Sequence, residues 1–158
     1  MSNKALSIRR AVVWSLAILG LALMAVAAVV EWLDVGLTPG FGVLQTFGFL
    51  LGITSLTIAI FLHLSASRPP GTPRSLQADI GIRLSLTGLV LSYASGFADL
   101  IRIGTHIQPE FERPFIGPLQ LGGLLLGLLV WAAGILLYYT SRGKRPSSSL
   151  EFILNGKK

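Results

Sequence analysis

The chain has 158 residues, 52% of them apolar and 13% charged, and a mean hydropathy of +0.70. The charged share is roughly half the usual one, which excludes a disordered chain, a nucleic-acid module and an ordinary soluble enzyme. With no cysteine present, disulfides, thiolate metal sites, iron–sulfur clusters and redox dithiols have nothing to be built from.

A helix needs about 20 mostly apolar residues to cross roughly 30 Å of hydrocarbon. Residues 11–30 form the first such stretch and carry no charge. Lys4, Arg9 and Arg10 ahead of it and Ala25, Val26 and Ala27 near its end also fit a cleavable signal peptide. The run is long for that role and has an internal counterpart, so a retained span is expected. An outer loop, 31–40, follows, and the stretch from Asp34 to Phe41 reads as a Gly and Pro turn. The second span, 41–64, is uncharged and has His63 at its end. The cytoplasmic loop, 65–79, is rich in Pro, Ser and Gly. There Pro69 and Pro70 stop the second helix, and Ser75 is placed to cap the third.

The third span, 80–101, has Arg83 one turn in and Asp99 one turn from its exit, both close enough to the ends to reach the headgroups. The longer outer loop, 102–116, holds His106. The fourth span, 117–139, is again uncharged. In the cytoplasmic tail, 140–158, Ser148 and Glu151 fit a capping box around Leu150, Phe152, Ile153 and Leu154. That pattern suits either a short helix on the inner leaflet or a frayed end.

Charge placement sets the orientation. The side holding both termini and loop 65–79 receives Lys4, Arg9, Arg10, Arg68, Arg74, Arg83, Arg142, Lys144, Arg145, Lys157 and Lys158, eleven of the thirteen basic residues. The opposite side keeps Arg102 and Arg113 with five of the seven acids, Glu31, Asp34, Asp99, Glu110 and Glu112. Both termini are therefore expected in the cytoplasm of a plasma-membrane protein. The positive charge then marks topology and attraction to anionic lipid, not nucleic acid.

The two halves read as copies of one hairpin. A shift of 68 takes Gly20 to Gly88, Glu31 to Asp99, Leu33 to Ile101 and Gly36 to Gly104. A shift of 75 takes Gly42 to Gly117, Gln45 to Gln120, Gly48 to Gly123, Leu51 to Leu126 and Gly52 to Gly127. The expected fold is an all-α membrane protein. It is a four-transmembrane-helix bundle from a tandem duplicated helical hairpin, with parallel pseudo-two-fold symmetry about the membrane normal. Small residues recur on one face of each span: Ala17, Gly20 and Ala27; Gly48, Gly52, Ser55 and Ala59; Ser85, Gly88, Ser92 and Ser95; Gly123, Gly127 and Gly134. In lipid, such stripes let helix backbones approach, so they are expected to form the inner seam of the bundle.

Chemistry finds few residues. His63 and His106 belong to opposite membrane faces and cannot share a metal or haem, and no serine has a histidine and an acid converging on it. No ionisable residue falls near the centre of a span, which argues against a proton-coupled carrier. One polar group remains: Glu31, Gln45, Asp99 and Gln120 gather at the outer helix ends, with Arg102 close by. They can bind a cation or a polar headgroup, or they can simply cap and pair helix ends, as Asp99 and Arg102 at i, i+3 would. The composition points to a non-catalytic protein without cofactors. Its expected partners are the bilayer and either membrane subunits or further copies of itself. A small transporter or ligand-binding protein using the outer cluster is the alternative, and a lipid- or quinone-acting enzyme the third.

Overall fold

The structure is a computed structural model that describes residues 3–32, 42–67, 75–98 and 117–141. Four helices occupy these segments: α1 (Asn3–Trp32), α2 (Val43–Ala66), α3 (Leu76–Gly96) and α4 (Pro118–Thr140). Helix α1, with 30 residues, is about 45 Å long and starts eight residues before the first apolar stretch. Hydropathy marks where lipid is tolerated, whereas the helix continues wherever backbone hydrogen bonding is unopposed, here through Lys4, Arg9 and Arg10. Local signals set the other starts. Ser75 caps α3 by accepting a hydrogen bond from the Ala78 amide at 3.2 Å. Pro118 opens α4 at a position where its missing donor costs nothing.

Three helices, α1, α2 and α4, are long and apolar enough to cross a membrane. Helix α3 falls short of that measure because Gln77, Asp79, Arg83, Ser85, Thr87, Ser92 and Ser95 dilute its apolar residues. The end of the expected third span, including Asp99, lies outside the described residues. So do both outer loops beyond Trp32, His106 and the tail with its Ser148 and Glu151 signal.

The helices pair as α1 with α2 and α3 with α4. At the first crossing the backbones nearly touch. A Cβ on Gly20 would lie 2.7 Å from the Gly52 carbonyl oxygen, and one on Gly52 would lie 2.7 Å from that of Gly20. At the second crossing a Cβ on Gly88 would lie 2.6 Å from the Gly127 oxygen, and one on Gly127 would lie 2.8 Å from that of Gly88. The shifts of 68 and 75 carry the first pair onto the second. The next neighbours follow: the Met24 amide beside Gly52 corresponds to that of Ser92 beside Gly127, and the Leu56 amide beside Gly20 to that of Trp131 beside Gly88. Helix α3 lines its seam with Ala78, Gly81, Ser85, Gly88 and Ser92, all buried at alternating steps of three and four. That 3.5-residue period keeps one stripe against a partner over the whole length of a helix.

The hairpins meet through α2. Leu64 packs with Ala78 and Tyr138, flanked by Ile60, Phe61 and Ile82. The Phe61 and Tyr138 rings sit edge to face at 5.2 Å, and Phe47 lies 6.3 Å from Phe97. A Cβ on Gly96 would press on Thr46 and Leu50. Helix α1 takes no comparable part. In a strict two-fold bundle the α2–α3 contact would recur between α4 and α1, and among the described residues it does not recur to a similar extent. The small-residue stripes thus serve two separate pairwise seams, in place of one central seam. Gly48 faces neither of them, since a Cβ there would meet nothing within 4 Å. Gly123 abuts Ser95, Gly134 abuts Ser85 and Gly81, and Ser55 is half-buried.

Candidate functional site

The hydroxyls in and around the core are hydrogen-bonded, some of them across helices. Thr54 donates to the Leu50 carbonyl at 2.8 Å and meets the Tyr93 hydroxyl at 2.9 Å. A hydroxyl has one proton, so with Thr54 committed to its own helix Tyr93 is the donor across the gap. Thr57 repeats the arrangement, donating to Ile53 at 2.7 Å while accepting from the Trp131 indole at 2.7 Å. Ser85 crosses the α3–α4 seam to the Trp131 carbonyl at 3.1 Å, and Ser92 returns to Gly88 at 3.0 Å. An unpaired hydroxyl in a dry interior is costly, and each of these is satisfied.

The ends of the hairpins that hold Arg9 and Gln77 carry a matched pair of clasps. In the first hairpin the Arg9 Nη2 donates to the Leu62 carbonyl at 3.1 Å and to Ser65 Oγ at 3.2 Å. In the second, Gln77 Nε2 donates to the Leu137 carbonyl at 3.4 Å and to Thr140 Oγ1 at 3.0 Å. The same shifts convert 9 to 77, 62 to 137 and 65 to 140. Even the supporting bonds agree, since Ser65 and Thr140 each donate to the carbonyl three residues back at 3.1 Å.

Of the outer cluster, the described residues include the two glutamines in full. Gln45 Oε1 accepts from the Gly42 amide at 2.5 Å, and Gln120 Oε1 accepts from the Gly117 amide at 2.8 Å. Each closes the first turn of its helix in the manner of the second half of a capping box. The preceding glycines share one backbone conformation, φ −73°, ψ 164° at Gly42 and φ −70°, ψ 164° at Gly117. Gln120 differs in burial: its Nε2 is buried without a partner, alone among the described side chains. Glu31 lies in the last turn of α1, but its side chain, Asp99 and Arg102 fall outside what is described. Of the four residues expected to gather at these helix ends, the two glutamines are the ones whose side chains are described.

A groove that sequence spacing does not reveal lies at the other end of the first hairpin. A cavity of about 360 Å³ between α1 and α2 is bounded by Val13, Trp14, Ala17, Ala59, Ile60 and His63. A second, of about 300 Å³, adjoins it through Val13, Trp14 and His63 and opens among Arg9, Arg10 and Ser67. His63, read from sequence as an interfacial residue, is exposed where the two meet. The clasp of Arg9 fixes one guanidinium at the polar mouth. No protein-family model, curated protein or solved structure matches the chain.

Proposed function

We propose that the chain is a non-catalytic, four-span protein of the plasma membrane, with both termini cytoplasmic, and that it acts as an accessory or structural subunit of a larger membrane assembly or homo-oligomer. The observation that carries this reading is the one-sided packing of α1. The helix rests on α2 and leaves Val12, Leu19 and Val26, one heptad apart, exposed on another flank. A helix held along one edge retains a free face for a neighbouring subunit. The use of core hydroxyls and both outer glutamines for helix joining and capping points the same way.

The fourth crossing is part of the proposal. The polar residues that lower the hydropathy of α3 include Ser85 and Ser92, which are buried against α4, while Ile80, Leu86 and Val90 are exposed. A span can carry seam serines without presenting them to lipid. Tandem duplication is proposed on the paired glycine crossings, clasps and caps, which obey two constant offsets.

Purification in mild detergent with cross-linking mass spectrometry tests the role. Recovery of a membrane subunit, or of a second copy, linked through α1 supports it. A monomer in which liposome uptake of a small solute depends on Gln120 would overturn it. Topology is read without background, because the chain has no native cysteine. Single cysteines at Ser2 and Ser149 should resist an impermeant maleimide in intact cells, and one at Thr105 should react. The buried, unpartnered Gln120 amide favours one second reading, a ligand-binding protein whose site includes that donor.

A further inference from the structure

Superposing the two hairpins by their offsets shows what the groove of the first hairpin is. Trp14, His63 and Arg10 correspond to Ile82, Tyr138 and Ala78. In the second hairpin those three residues are packed under Leu64, Ile60 and Phe61 of α2. In a closed two-fold bundle α4 would cover the first hairpin in the same way, yet Leu136 and Tyr139 remain exposed. Among the described residues, one face is thus covered by a helix and its twin is covered by none. The two also differ in depth. The second hairpin has Gly81 and Gly134 where the first has Val13 and Ala59, and a Cβ on Gly81 would fall 2.8 Å from the Gly134 oxygen. The bulkier pair props the first hairpin open at this level.

Chemistry selects the occupant. Where the covered face offers Ala78 and Tyr138, the open one offers Arg10 and His63, with Arg9 at the same level. An apolar helix such as α4 laid over that end would strip water from the Arg9 and Arg10 guanidiniums while offering no acid among its own residues, which is strongly unfavourable. Below the mouth, the walls are Val13, Ala17, Leu56, Ala59 and Ile60 with the indole of Trp14, and they carry almost no polar surface. The combined shape is a cationic, hydrogen-bonding entrance above an apolar slot of the size that holds small ligands. We propose that this groove is a binding site for an anionic phospholipid, its phosphate between Arg9, Arg10 and Ser67 and one acyl chain along Trp14 and Ala59. Arg9 uses Nη2 for the clasp and keeps other donors for phosphate. The inference rests on the reading that α1 and α2 cross the bilayer.

Trp14, 67% exposed in the groove, reports the site. Replacing Trp32 and Trp131 by Phe leaves it as the sole tryptophan, excited selectively over tyrosine, with folding checked by circular dichroism. In phosphatidylcholine vesicles, brominated phosphatidylglycerol should quench Trp14 with a higher relative binding constant than brominated phosphatidylcholine. The preference should be about fivefold for each engaged arginine. Arg10→Gln should lower it by about fivefold, and Arg83→Gln, on α3 away from the groove, should leave it unchanged. Equal quenching by both lipids would overturn the site while upholding insertion. A second reporter, Leu129→Trp on the exposed side of α4 with the other tryptophans removed, separates the remaining outcomes. Quenching at 129 but not at 14 would mean that protein, a second copy or a partner helix, fills the groove. Quenching at neither position would overturn the membrane reading and the site together. Native mass spectrometry of the unaltered chain, comparing retained phosphatidylglycerol with phosphatidylcholine, gives the ranking without any tryptophan replacement, and no preference there would also overturn the site.

Discussion

The first hairpin and the second share a skeleton and differ in their surfaces. Both cross at a reciprocal pair of glycines, Gly20 with Gly52 and Gly88 with Gly127, and both are clasped at the same level by a side chain of one helix reaching a carbonyl and a hydroxyl of the other. Away from these points they diverge. The second fills its seam with glycine and serine and lies beneath α2. The first uses Val13, Ala17, Leu56 and Ala59, stays slightly open and supports α1 on one side. Close backbone approach is what the two hairpins have in common. Side chains beyond it are free to serve either a neighbouring helix or the surroundings.

Substitutions at the crossings test that equivalence most severely. Gly52→Leu and Gly127→Leu should each destabilise the protein by about 1–3 kcal/mol or more, by overpacking against backbone. Gly48→Leu, at an open position, should change little. Thermal melts in detergent compare the three, and a loss at only one of the two crossings would break the correspondence. The caps come next. Gln45→Ala and Gln120→Ala should each lose about 1 kcal/mol, the usual scale of a helix-start bond. A much larger loss of stability on removing Gln120 would separate it from its twin. The clasps follow: Arg9→Ala and Gln77→Ala should cost about 0.5–1 kcal/mol each, measured by the same melts. Smallest is the bond between hairpins. A double-mutant cycle of Thr54→Val with Tyr93→Phe should return a coupling of about 0.6 kcal/mol, typical of hydrogen bonds between membrane helices. A coupling near zero would leave the aromatic contacts as the joint between the halves.

Much of this was legible in the residues. Uncharged runs of adequate length located α1, α2 and α4, and Ser75 marked the start of α3, because these signals act over one or two turns. Gly20 and Gly88, and the glycine-to-glutamine spacing at the starts of α2 and α4, could be paired from sequence, and the structure places each pair at matching crossings and helix starts. The matched clasps are not legible in sequence because Arg9 and Gln77 look unlike while performing the same donation. Gly48 was misplaced for a different reason. Helical periodicity says which residues share a face, but only the packing of whole helices says whether a neighbour lies against it. The same limit hid the groove, which depends on which helices cover each hairpin as well as on its own residues. It also explains why α3 reads as weakly apolar, since its buried serines count against it although they face α4. For the outer cluster, sequence placed Gln45 and Gln120 at corresponding helix ends, and the structure adds that both close the backbone there.

The thinness of the joint between the hairpins bears on how the molecule is made. Among the described residues nearly all close contacts of α1 are with α2, the next segment to leave the ribosome, so the first half can close before the second has been synthesised. The late half then docks as a finished unit through a few aromatic and hydroxyl partners. Two polypeptides cut between Ser67 and Ser75 should accordingly find each other when made together in one cell.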